Sequence, residues 1–71
     1  MRTINEAREF INNNFGREVF VKVLGIRNKE ETIFGTISEC YRNIFIVKTV
    51  RGKKSFNYTD VLIGNIKILV K

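Results

Sequence analysis

Residues 32–41, TIFGTISECY, decide how this chain folds. Thr32, Ile33, Phe34, Thr36 and Ile37 are β-branched or aromatic, side chains that pack well on a pleated surface. Gly35 interrupts them. A glycine inside a strand weakens it and packs nothing, so its place here marks a bend or bulge of the kind a small barrel needs at a corner. The stretch predicts a long strand over 32–41, bent at Gly35.

Upstream, Val19, Val21 and Val23 alternate with Phe20, Lys22 and Leu24, which predicts a strand ending near Gly25. Arg27, Asn28, Lys29, Glu30 and Glu31 then form a charged, self-compensating connection, read as a solvated loop. Before the strand, Thr3 and Glu6 stand at capping-box spacing, and Ile4, Ala7, Phe10, Ile11 and Phe15 recur as one apolar stripe. These predict a helix over about 4–13, stopped by Gly16.

Downstream, Arg42 and Asn43 make a tight turn and 44–50 is a nearly continuous apolar strand. Residues 51–54 turn the chain again, and 55–58 form a short fourth strand. Thr59 or Asp60 caps a single helical turn whose Val61 and Leu62 plug the barrel end. Ile66, Ile68 and Val70 alternate along a fifth strand. The whole predicts a mainly β fold: a small five-stranded antiparallel SH3-like or Sm-like barrel over about 17–70, behind one short helix, as a single domain of residues 1–71. An oligonucleotide-binding barrel competes, but it places a helix between strands three and four, where this chain has only residues 51–54.

A domain of 71 residues buries only ~60% of its unfolded surface, so its stability margin is thin. Cys40 is the only cysteine and there is no histidine, which leaves no disulfide and no zinc ligand set. We expect no metal and no cofactor. Such a domain gains from self-association, so a homo-dimer or higher oligomer is among the expectations.

Catalysis finds little to work with. The commonest general base is missing, and Cys40, in phase with Phe34, Thr36 and Ser38, has no imidazole to activate it. The seven carboxylates form no metal-gathering pair, and the five glycines form no phosphate loop. We expect no enzyme, no catalytic residue and no small-molecule substrate. The opening residues lack an apolar signal segment and no run reaches the ~20 residues of a membrane span, so the expected location is the cytoplasm. Glu6 and Glu9 on the helix argue against a membrane-surface role.

The net charge of +6 points instead to an anionic partner, nucleic acid or an acidic protein surface, without choosing between them. The densest feature is Arg42, Lys48, Arg51, Lys53 and Lys54, five cations with no acid between Glu39 and Asp60. A hairpin would crowd Arg51, Lys53 and Lys54 at one end, either to meet phosphates or as a solubilising tip. Phe56 and Tyr58 alternate beside it. Outward they would be a base-stacking platform; with so little core to spare, we place them inward.

Two segments carry a family resemblance. In GTISECYRNIFIVKT, residues 35–49, and KKSFNYTDVLIGNIKI, residues 53–68, the chain resembles the Veg family, small proteins of Gram-positive bacteria. Gly35, Ile37, Tyr41, Phe45 and Val47 match its first block, and Ser55, Tyr58, Asp60, Val61 and Leu62 its second. The chain departs from the pattern at Arg42 and Asn43, where the family has Pro-Ser, and at Cys40, where it has Thr. The resemblance implies an SH3-like barrel without catalysis, a cytoplasmic regulatory role in stimulating biofilm formation, and motif residues that define the fold: Gly35, Tyr41, Phe45, Tyr58, Asp60, Val61 and Leu62. The order of helix and strands is also similar to Sm and Hfq-like barrels, which keeps an RNA-binding homo-oligomer as the alternative.

Overall fold

A computed structural model describes residues 3–25 and 29–71. Arg27 and Asn28, which the charged connection included, lie outside the described residues. Helix α1 spans Ile4–Asn13, and the Thr3 hydroxyl accepts from the Glu6 amide at 3.2 Å, as the capping spacing predicts. Ala7 and Ile11 are fully buried, whereas Phe15 lies beyond the helix end and is exposed. The stripe therefore stops at Ile11. Asn14 closes the helix, its side-chain amide donating to the Phe10 carbonyl at 2.7 Å, and Gly16 turns the chain at φ 81°.

Five strands follow: β1 (Glu18–Leu24), β2 (Glu30–Cys40), β3 (Ile44–Thr49), β4 (Gly52–Asn57) and β5 (Ile66–Val70), with helix α2 (Tyr58–Ile63) between the last two. They form one antiparallel sheet in the order β4-β3-β2-β1-β5, so β4 and β5 are its two ends. The expected mainly β, five-stranded architecture with an N-terminal helix is present. Several boundaries differ, and Tyr41 and Val50 fall just outside β2 and β3. β2 begins at Glu30 rather than Thr32, because hairpin pairing runs on to Leu24↔Glu30 and draws both glutamates into the ladder. β4 begins at Gly52 rather than Ser55, so Lys53 and Lys54 are strand residues opposite Lys48 and Val47. Tyr58 leaves the fourth strand and opens α2, whose N-cap position is Asn57, not Thr59 or Asp60.

β2 is where the sheet curls. Its first half pairs with β1 up to Glu18↔Thr36, and its second half pairs with β3 from Thr36↔Lys48 onward. At the changeover a Cβ on Gly35 would stand 2.5 Å from the Lys48 carbonyl oxygen, which is why only glycine fits. The register shift itself falls three residues on, at Ser38 between Ile37 and Glu39. That bulge reverses the alternation, so Cys40 pairs with Phe45 and packs against the core rather than sharing a face with Phe34 and Thr36.

The core gathers inward residues from every element except β4: Ala7 and Ile11, Val19 and Val21, Ile37, Phe45 and Val47, Tyr58 and Val61, and Ile66. Phe56 packs against it from β4, and Tyr58 is fully buried with its ring 5.3 Å from Phe45, so the inward placement of this pair holds. Each fully buried large side chain contributes about 1.5–3 kcal/mol.

Candidate partner-binding surface

The cationic end of the β3–β4 hairpin is built on a two-residue turn, Val50 and Arg51. The Thr49 hydroxyl accepts from the Arg51 amide at 3.1 Å and donates to the Gly52 carbonyl at 2.8 Å, and Gly52 supplies φ 127°. This turn projects Val50 and Arg51 into solvent at the barrel mouth. Arg51 and Lys54 there line a groove with Glu31, Ile33, Phe34 and Val50.

Lys48 and Lys53 face each other across β3 and β4. Like charges in that position repel, and Glu39 on the neighbouring strand relieves them: Lys53 Nζ lies 3.1 Å from Glu39 Oε2. The Tyr41 hydroxyl donates to the other carboxylate oxygen, Oε1. The Tyr41 bond first, and Lys53 second, hold the Glu39 carboxyl below its ordinary value, while Glu39 pushes the Tyr41 phenol up. The five sequence-predicted cations are thus not one patch. Lys48, Arg51 and Lys54 have no ion pair among the described residues, but Lys54 pairs with inward-facing Val47 and so lies on the sheet face opposite to Lys48; Lys53 is tied to Glu39, and Arg42 lies in the β2–β3 turn. That turn is at the far end of β3, about 17 Å away at ~3.3 Å per residue. Its carbonyl accepts from Arg8 Nε at 3.0 Å, which pins α1 to that end of the barrel.

The motif residues are placed unequally, and Tyr41 among them is exposed. Phe45, Tyr58 and Val61 are core, Leu62 is half-buried against it, and Asp60 lies in the first turn of α2, where the helix dipole favours an acid. Arg8 stacks 5.7 Å over the Tyr58 ring, and the Tyr58 hydroxyl is buried with no hydrogen-bond partner among the described residues. Burial pushes the Cys40 thiol up, away from a nucleophile's range. Among the described residues no cluster of three or more His, Cys, Asp or Glu could hold a metal, and no helix is long and apolar enough to cross a membrane.

One pair of side chains escaped sequence reasoning. Phe20 and Phe34 pair across β1 and β2 on the outer face and stay partly exposed. The signal was present: if Val19, Val21 and Val23 point inward, Phe20 must point out.

Comparison with curated proteins finds no match. A family model described as Biofilm formation stimulator VEG matches residues 2–69. That match spans nearly the whole of the 71-residue chain, and the protein belongs to the Veg family of biofilm formation stimulators.

Proposed function

We propose that this Veg-family protein is a non-enzymatic regulator that acts by binding an anionic macromolecule through its basic surface, with Lys48, Arg51 and Lys54 as the electrostatic handle. One observation carries the reading: these three cations all belong to the β3–β4 hairpin, Lys48 on its outer face and Lys54 on the other, without an ion pair among the described residues, while nearby Lys53 is neutralised by Glu39. A solubilising tip needs no such division between paired and unpaired lysines. An anionic polymer gains from every phosphate or carboxylate brought to the unpaired ones.

The test is the triple variant Lys48→Glu, Arg51→Glu, Lys54→Glu. Lys53 stays, because its loss would strand Glu39. Binding to duplex DNA, RNA and an acidic polypeptide is followed across a salt series, with thermal melting as the fold control. Loss of binding at unchanged melting temperature supports the reading; unchanged binding removes the hairpin from the mechanism.

A second reading, an RNA-binding homo-oligomer akin to Sm barrels, draws support from the sheet ends. β4 and β5 do not pair with each other, and each leaves an edge that a neighbouring copy could extend. Mass in solution separates the two: a ring requires a stable multimer, the regulator a monomer or dimer.

A further inference from the structure

The outer sheet face carries a feature that the hairpin does not explain. The register sets Leu69, Phe20 and Phe34 side by side across β5, β1 and β2, and Val50 at the hairpin turn extends the row. All four are exposed: Leu69 by 49%, Phe20 by 38%, Phe34 by 37% and Val50 by 103%. The two rings meet edge to face, 4.9 Å between centroids.

Lysines bracket this row. Lys67 and Lys22 lie opposite each other on one side. On the other side, Lys71, Glu18, Thr36, Lys48 and Lys53 form a second line across the strands. Lys71 Nζ stands 5.5 Å over the Phe34 ring. Three carboxylates share the face. Glu30 reaches Lys22 at 3.9 Å, Glu39 holds Lys53, and Glu18 sits between Lys71 and Lys48. Lys48, Lys67 and Lys71 have no ion pair among the described residues.

We infer that this face binds single-stranded nucleic acid, with unpaired bases on Phe20 and Phe34 and phosphates against Lys67, Lys71 and Lys48. The inference rests on the reading that the protein binds through its basic surface, and it names the partner. Alternation of exposed rings with lysines is what a base-stacking site needs, since every base offers a π-face and every linkage a charge. A protein partner is a poorer match, because lysine is depleted in protein interfaces. A duplex is also poorer: its bases are stacked on one another, so it would engage the lysines and leave the apolar row in water.

The test is fluorescence anisotropy with a labelled single strand of about 12 nucleotides, as RNA and as DNA, against the same sequence as duplex DNA and a poly-glutamate peptide. We expect the single strands to bind in preference to the other two. Phe20→Leu with Phe34→Leu, which keeps apolar bulk and removes the rings, should weaken that binding by about tenfold. Phe34→Tyr should retain it. Lys67→Gln with Lys71→Gln should lower the log–log salt slope by up to about 1.4, at ~0.7 per contact on single strands. Should the leucine variant fail to fold, the lysine variant, at exposed positions, carries the test. No single-strand binding at low salt, or unchanged binding in these variants, overturns the inference. Preferential binding of duplex or poly-glutamate that is lost on Lys48→Glu, Arg51→Glu, Lys54→Glu also overturns it, but leaves the broader reading standing. No binding to any of the four removes both.

Discussion

Replacing Gly35 by alanine puts one methyl group where the curled sheet has no room for it. The new Cβ would lie 2.5 Å from the Lys48 carbonyl oxygen, 2.7 Å from Val47 Cγ1 and 3.1 Å from the Lys48 carbonyl carbon. Two of these three atoms are backbone, and β3 is held on both sides by its pairing with β2 and β4. The strand cannot step aside by rotating a side chain. Overpacking of this kind costs about 1–3 kcal/mol, and the backbone clash places Gly35→Ala at the upper end. Loss of glycine's freedom in the unfolded chain returns about 0.4–1 kcal/mol. The net is about 2–3 kcal/mol, against a total of roughly 4–10 kcal/mol for a domain of this size. The melting temperature should fall by roughly 10–20 °C. Urea unfolding followed by circular dichroism measures it, with Gly52→Ala as the comparison. There a Cβ meets nothing within 4 Å and only φ 127° opposes it, so the cost is about 1–2 kcal/mol. A Gly35→Ala protein within about 0.5 kcal/mol of wild type would show that the corner is not tight and that something else curls the sheet.

The Glu39 carboxyl is held below its ordinary value near 4.5, so the unfolded chain takes up this proton at higher pH than the folded one. Its contribution is complete above the ordinary value and is lost as pH falls through the folded one; Tyr41→Phe removes the largest cause and should return the carboxyl toward 4.5 in an NMR titration of its side-chain carbon. Tyr58→Phe removes a buried hydroxyl that has no hydrogen-bond partner among the described residues and should leave stability unchanged or slightly raised. Tyr58→Ala opens a cavity in the same place and should cost about 3–5 kcal/mol by denaturant titration. Thr3→Ala removes the α1 cap and should lower stability by about 1 kcal/mol, read in the same experiment.

What the sequence makes legible is what neighbouring residues decide. Thr3 and Glu6 announce a helix start, the Val19, Val21, Val23 alternation a strand, and Gly35 a corner, because each acts over a few residues. The bulge at Ser38 has no local marker, so it reverses the side on which Cys40 lies without warning. The Lys53–Glu39 pair joins residues 14 positions apart and exists only once β4 lies two strands from β2. It divides a run of cations that looks uniform in the sequence. Arg42 separates from that run for a related reason: β3 is a full strand long, and a charge at either end of it serves a different end of the barrel.

The changeover at Thr36 also bears on how the molecule opens. Around residues 35–37 the β2 backbone is flanked on both sides, by β1 and by β3, and the Ile37 amide reaches back to the Arg17 carbonyl at 3.2 Å. From Glu30 to Phe34 it has only β1 beside it, and from Glu39 to Cys40 only β3. The two hairpins are leaves joined at one spine. Amide hydrogen exchange should record this as a gradient along a single strand, slowest at the spine and progressively faster toward Glu30, with the β1–β2 tip opening while the spine stays shut.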